Sequence, residues 1–361
     1  MKIFAIGSSL VSSYWNGAAT YYRGIYKNLA RMGYEVTFAE PDAYQRQQHR
    51  DTGDFSYARS IVYRSPEDIP AVLREAAAAD LVVKHSGVGV DDALLEQRVL
   101  DSRSARTQVA FWDVDAPATL ARVEHDASDP FRALIGEYDF ILTYGGGAPV
   151  VEHYMRLGAR NCHPIYNGLD PETHHPVSPD PEFACDLALV ANRLPDRERR
   201  IEEFFFRAAK LAPEQRFLLG GEGWDGKPMP PNVRRLGHVA TGDHNRVNGS
   251  ARMVLNVNRA SMADVGFSPP TRIFEAAGAA ACVVTDHWPG LETFFVPGEE
   301  ILVARSGEEV AARLRDTSRE SSRALGEAMR RRALRDHTYD QRAGEVAGIL
   351  AARGALEEVA R

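Results

Sequence analysis

Short β-rich runs alternate with helical stretches along most of the chain, and this alternation constrains the fold more than any other feature. The clear strands are "KIFAIG", "EVTFAE", "DLVVKHS", "QVAFWDV" and "DFILTYG" in the first half. In the second half they are "DLALVAN", "RFLLGG", "MVLNVN", "CVVTD" and "EILVA". Apolar runs of this kind, separated by helices, are buried on both faces and belong to parallel sheets. They fall into two sets. Between the sets lies "YNGLDPETHHPVSPDPEF", rich in proline and without periodicity, which reads as a linker near residues 166–183. A chain of 361 residues is itself long enough for two domains. The expected fold class is therefore α/β, with two doubly wound Rossmann-like domains facing each other across a cleft. Ligands in such sheets bind beyond the carboxyl ends of the strands, so functional residues should follow strands.

Composition narrows the function classes. No apolar run approaches the roughly 18 residues of a membrane-spanning helix. "MKIFAIGSSLVSS" has too short an apolar core for a secretory signal and reads as a first strand. Cys162, Cys185 and Cys282 are isolated and lack metal-type spacing, which favours a reducing cytoplasm over a disulfide framework. A net charge of -7 offers no general attraction to nucleic acid or anionic lipid, so no nucleic-acid partner is expected. Arg23, Lys27 and Arg31 recur every four residues on the first helix. That pattern is usually a solvated face, and it leaves only a weak peripheral membrane contact open.

The first strand runs into "GSSLVSSYWNGAATYYRG", whose Asn16-Gly17 loop enters a helix. It is not G-x-G-x-x-G, which argues against a nicotinamide or flavin dinucleotide. Two other strand ends carry groups able to accept a proton: His85 after "VVK", and Asp113 within "AFWDVDAPATL". Singly, each is as readily a structural cap or an ion-pair partner. In the second half Arg193 stands just past "LALVAN", where paired donors suit a phosphate. Gly237, His238 and Val239 follow another strand-like run, and the glycine permits close backbone approach to a flat base or a tight turn.

The most specific stretch is "GFSPPTRIFEAAGAAACVVTD", Gly266 to Asp286. A residue before proline avoids helical geometry, so Ser268 and Pro269 should lie outside the helix and Pro270 at its first position. The amides of Thr271 and Arg272 then lack intrahelical partners and favour an anion such as a diphosphate. Glu275 lies four residues after Thr271, on the same face and one turn deeper. A carboxylate there would repel phosphates unless it met neutral donors, and ribose hydroxyls are such donors. The alternative is a capped buried helix whose acid pairs with Arg272.

These residues resemble the GT-B glycosyltransferases, specifically the group similar to the spore-maturation protein CgeB. The matching stretches are "ANRLPDRERRIEEFF", "RFLLGGEGW", "LNVNRASMADVGFSPPTRIFEAAGAAACVVTD" and "PGLETFFVPGEEILVA", with "YWNGAATYYRGIYKNLARMGYEVTFAEP", "LVVKHSGVGVDD", "FWDVDAPATL" and "YNGLDP" earlier. The resemblance implies an acceptor-binding domain over 1–168, completed by a C-terminal helix over 341–361. It also implies a nucleotide-sugar-binding domain over 169–340. On this likeness Glu275 holds the ribose, Arg193 and the 268–272 loop (Ser268, Thr271, Arg272) hold the diphosphate, and Gly237 to Val239 lie near the base. His85 and Asp113 stand where such proteins place polar groups near the reacting sugar. Many relatives carry two glutamates separated by seven residues, whereas here the earlier position is Phe267.

The expected activity is metal-independent transfer of a sugar from a nucleotide diphosphate sugar, UDP-, GDP- or TDP-linked, to an acceptor hydroxyl or amine. The acceptor class extends over small molecules, saccharides and peptides. No cofactor and no metal site are expected. The one Asp-x-Asp triplet, "DVD" at 113–115, lies in the wrong domain for a donor-site metal. The rival readings are a nucleotide-sugar epimerase on the same architecture and a catalytically silent nucleotide-sugar-binding subunit.

Overall fold

The computed structural model describes residues 1–51 and 55–359. The chain divides into two compact units. The first comprises Met1–Asn167 with Tyr339–Arg361, and the second comprises Gly168–Thr338. The last two residues of the helix expected over 341–361 lie outside the described residues.

The first unit is built on seven strands: β1 (Lys2–Ile6), β2 (Glu35–Pro41), β3 (Arg59–Tyr63), β4 (Leu81–His85), β5 (Gln108–Asp113), β6 (Phe140–Thr143) and β7 (Cys162–Pro164). They hydrogen-bond in the order β3-β2-β1-β4-β5-β6-β7, with every neighbouring pair parallel. The second unit holds β8 (Cys185–Val190), β9 (Phe217–Gly220), β10 (Val233–Gly237), β11 (Ala251–Asn256), β12 (Val283–Asp286) and β13 (Leu302–Ala304). Their order is β10-β9-β8-β11-β12-β13, again all parallel. Each sheet runs outward from its first strand on one side and from its fourth on the other. The order therefore reverses between β1 and β4, and between β8 and β11, and such a switch point opens a crevice at the carboxyl ends.

The ten apolar runs all form strands. Three strands, β3, β7 and β10, carry no such run, and each lies at a sheet edge. An edge strand is buried on fewer sides and does not need a continuous apolar sequence; the β10 residues Arg234 and Arg235 are exposed.

The C-terminal helix Tyr339–Val359 packs against the helix Ala19–Arg31 within the first unit. Gly24 makes the approach close enough, since a Cβ there would come within 2.2 Å of the Tyr339 ring. Tyr21 ties the same region to the sheet by donating its hydroxyl to the Ile165 carbonyl (2.6 Å) while accepting from Trp112 Nε1 (3.0 Å). No helix of the described residues is long and apolar enough to cross a membrane. Arg23 does not contribute to a free basic face. Its guanidinium is held by Asp51 (2.6 Å) and the Leu10 carbonyl (2.8 Å).

Candidate functional site

In the second unit, the loops at the carboxyl ends of β8, β9 and β10 meet, those of β9 and β10 carrying glycines. Asn192 Oδ1 accepts from the Glu222 amide (3.0 Å), the Arg193 amide donates to the Glu222 carbonyl (2.8 Å), and the Gly221 amide donates to the Gly237 carbonyl (2.6 Å). Gly221 has φ +114° and presses so closely on the Ala191 carbonyl that a Cβ would meet it at 2.3 Å. Gly237 adopts φ +79° at the end of β10, the conformation only glycine takes freely. Beyond it His238 is exposed and Val239 is buried. Arg193 follows β8, and its guanidinium is not vacant. It donates to Glu198 Oε1 (2.8 Å), and Lys227 joins the same carboxylate (2.9 Å). Arg193 and then Lys227 hold the Glu198 carboxyl down to about 2.

The helix Thr271–Gly278 follows β11 after one short helix. It begins one residue later than expected. Pro270 has ψ 156°, extended rather than helical, and so stands before the first turn as an N-cap that makes no side-chain capping bond. The Ile273 amide bonds back to the Pro270 carbonyl (3.1 Å). Ser268 is buried, and its hydroxyl donates to the Gly266 carbonyl (2.9 Å). The preceding turn is unusual: Gly266 (φ +76°) and Phe267 (φ +47°) are both left-handed. A left-handed residue other than glycine costs about 1–3 kcal/mol and persists only where its surroundings impose it. Here the Phe267 amide donates to the Pro289 carbonyl (2.7 Å), and the ring lies over Gly290, where a Cβ would come within 2.3 Å of it. An aromatic clamp thus holds this turn.

Glu275 is buried one turn into this helix, at 3 % exposure. Two histidines that the sequence reading missed stand beside it. His174 comes from the linker, and His244 from the helix Thr241–Ser250. His244 Nδ1 lies 3.5 Å from Glu275 Oε2, and the two imidazoles stack at 5.8 Å with planes 20° apart. Burial pushes both imidazoles down, His244 to about 4, against the opposing pull of the Glu275 charge. Neither histidine had a signal in the sequence, because one lies in an aperiodic linker and the other in a helix of ordinary polar composition. Only the tertiary fold brings them to Glu275.

This trio is the one group of metal-ligating type found among the described residues. The Arg272 charge, which acts on both imidazoles to disfavour their protonation, likewise opposes a dication there.

In the first unit the two proposed proton acceptors do not open to solvent. His85 and Asp113 are both 0 % exposed. They end β4 and β5, which are neighbours, with His85 in register with Trp112. The His85 ring is enclosed by Tyr22, Tyr26, Phe38 and Trp112 and shares a 2.6 Å hydrogen bond with the Tyr26 hydroxyl. Asp113 accepts from Ser86 Oγ (2.7 Å), Thr119 Oγ1 (3.1 Å), the Asp115 amide (2.9 Å) and Tyr154 Oη (2.5 Å). A carboxylate this fully bonded holds the loop after β5 in place.

The architecture decides the fold name. The chain superimposes on Anabaena HepE in complex with UDP-glucose with a TM-score of 0.69 at 15% identity, covering 98% of this chain and 100% of that one. The fold is GT-B. Sucrose-phosphate synthase from Thermosynechococcus elongatus is similar to it at TM-score 0.67 and 16% identity, over 99% of this chain and 100% of that one. Residues 197–348 match a family model described as glycosyl transferase-like. No curated protein matches the chain. An α-glucosyltransferase in complex with UDP and a 13-mer DNA containing a HMU base is similar to this GT-B chain at TM-score 0.71 and 10% identity, over 97% of this chain and 99% of that one. That likeness overturns the exclusion of nucleic acid as a partner. A net charge of -7 is a sum over the whole chain, and it does not describe the field at any one loop.

Proposed function

We propose that this protein is a glycosyltransferase that moves a sugar from a nucleotide diphosphate sugar to an acceptor hydroxyl or amine without a metal ion. It is assigned to the CgeB-like group within the GT-B fold and to the cytoplasm. The second unit (169–340 by the sequence reading) binds the donor, and the first (1–168 with the C-terminal helix) binds the acceptor. One observation carries the reading. A buried carboxylate, Glu275, stands one turn below a helix terminus with no side-chain cap, in a fold shared with structures that hold UDP-glucose or UDP.

The terminus favours the diphosphate, with Ser268, Thr271 and Arg272 around it, and Glu275 receives the ribose hydroxyls. Arg193 reaches the diphosphate by exchanging Glu198 for phosphate oxygens, a like-for-like swap of anionic acceptors. Gly237 to Val239 line the base. The departing diphosphate is stabilised by these fixed donors as its charge develops. His85 and Asp113 act as framework for the β4 and β5 loops, and the acceptor proton passes to the departing diphosphate itself.

The test is a thermal-shift panel of UDP, GDP and TDP with their glucose conjugates, followed by transfer assays on saccharide, peptide and DNA acceptors. A ligand at a hundred times its dissociation constant stabilises the folded chain by ~2.7 kcal/mol. No shift with any nucleotide would overturn the assignment. Free nucleotide diphosphate that appears only with an acceptor separates transfer from epimerisation.

A further inference from the structure

We propose that Trp15 and Tyr44 form a sugar-stacking platform in the first unit, so that the acceptor is a saccharide. This rests on the acceptor reading of the first unit and names the chemical class that unit would take.

The loops after β1, β2 and β4 stand at the carboxyl ends of adjacent strands, at the switch point of the first sheet. One buried side chain ties them together. Arg46 donates through Nη2 to the Trp15 carbonyl (3.1 Å) and through Nη1 to the carbonyls of Ser8 (3.1 Å) and Val88 (3.4 Å). Tyr14 stacks on His49 at 4.0 Å, which joins the first two loops a second time. Asn16 pins the turn from within, its amide donating to the Ser9 and Ser12 carbonyls (2.8 and 3.0 Å) and its Oδ1 accepting from Ser8 Oγ (2.9 Å). Tyr44 crosses to the third loop and donates its hydroxyl to the Gly89 carbonyl (2.8 Å). Its ring lies so close to Gly89 that a Cβ there would meet it at 2.8 Å.

These bonds fix the backbone and leave the two rings outside. Trp15 is 39 % exposed and Tyr44 52 %, whereas Trp112, Trp224 and Trp288 are all buried. Both residues are left-handed, with φ +48° and +55°, and so are Gln45 (φ +58°) and Asp91 (φ +56°) on the same loops. Four of the six left-handed residues other than glycine among the described residues therefore stand here. Such conformations persist only where the surroundings impose them, and they gather at ligand sites. Water gives no reward for holding large apolar faces in strained turns. A pyranose ring supplies the complement, with an apolar C–H face to lie on an aromatic one and hydroxyls around its edge. Asp91 offers those hydroxyls an acceptor. It is half-buried before the helix Asp92–Arg98, and its side chain makes no capping bond there. The Arg46 charge is spent inward on three carbonyls, so the rim of these loops carries rings and a carboxylate.

Trp15 is the one exposed tryptophan of four, so intrinsic fluorescence reports on this place directly. The full chain is screened on a glycan array, and the strongest glycan is titrated in solution against acrylamide quenching and by calorimetry. Its binding should shift the tryptophan emission to the blue and protect Trp15 from acrylamide, a result that needs no variant. Asparagine accepts left-handed backbone more readily than most residues, so Trp15→Asn and Tyr44→Asn remove each ring and spare its turn. Each should weaken the glycan about tenfold, the scale of covering one aromatic face. Tyr44→Phe keeps the ring and should bind nearly as the wild type does. The thermal shift with UDP or GDP should be the same in all three variants. No glycan bound, a glycan held equally by both Asn variants, or protection of Trp15 by a DNA oligonucleotide and by no glycan would overturn the inference. A transfer assay with the bound glycan and a nucleotide sugar separates the two levels. A glycan that protects Trp15 but receives no sugar leaves the platform standing and removes the acceptor reading. A glycan glycosylated equally well by the wild type and both Asn variants keeps the acceptor reading and removes the platform.

Discussion

Glu275 and Asp113 are both buried carboxylates, and their surroundings send them to different roles. Asp113 has its oxygens taken by four donors, whereas Glu275 faces two imidazoles and a helix terminus without a side-chain cap. Glu275→Ala should weaken nucleotide-sugar binding by ~1.5–3 kcal/mol, the value of hydrogen bonds to a charged group. Calorimetry with the bound donor checks this, and wild-type affinity would contradict it. Asp113→Ala should leave donor affinity unchanged but lower unfolding stability by ~3 kcal/mol, because it removes the shared acceptor of four donors, the Ser86 and Tyr154 hydroxyls among them in buried positions. A chemical denaturation curve beside the donor titration reads both quantities. The type of each residue was legible from its position after a strand or helix start. Its exposure was not, since a strand end can be sealed by aromatic side chains from a distant helix, as Tyr22 and Tyr26 seal His85.

Among the elements, the turn before the Thr271 helix and the seam of the C-terminal helix each hang on one glycine. Gly290 has φ +81° and lies under the Phe267 ring. Gly290→Ala should destabilise the protein by about 1–3 kcal/mol through overpacking and backbone strain together. It should also loosen the 266–270 turn, which amide hydrogen exchange reports. Unchanged protection there would mean that the turn does not depend on the clamp. The prolines in "SPPT" announced a helix start, and the start lies one residue on, because Pro270 takes an extended ψ. The strands were legible where both faces are buried. β3 and β7 were not, because an edge needs no continuous apolar run, while β10 was legible only as a strand-like run ending in glycine.

At the scale of the whole molecule, stability should fall in acid. The buried His244 imidazole is lowered from near 6.5 to about 4, chiefly by burial. Between these values the unfolded chain binds the extra proton, so stability is full above pH ~6.5 and declines as pH drops toward 4, by at most ~3 kcal/mol. Urea titrations across that window in wild type and His244→Asn test this, and parallel pH profiles would remove His244 as the cause. Turnover should persist after exhaustive chelation, since fixed arginines and a helix terminus carry the charge of the departing diphosphate. Activity lost in EDTA and restored by magnesium or manganese would contradict the metal-independent reading.

By itself the sequence determined the features that local pattern dictates. Apolar runs interrupted by helices imply parallel sheets, a proline-rich gap divides them, and consecutive prolines mark a helix start with an acid one turn in. These are short-range properties, set by periodicity and backbone sterics. Which polar groups are sealed and which meet was decided by the tertiary structure alone. His174 and His244 stand 70 residues apart, and they reach Glu275 because Asn245 and Gly278 hold the linker against two helices. His85 and Asp113 looked alike in the sequence to an accessible base, and the packing of rings and hydroxyls around them closed both. Burial is a sum over neighbours that are remote in the chain, so a residue's own sequence surroundings cannot express it.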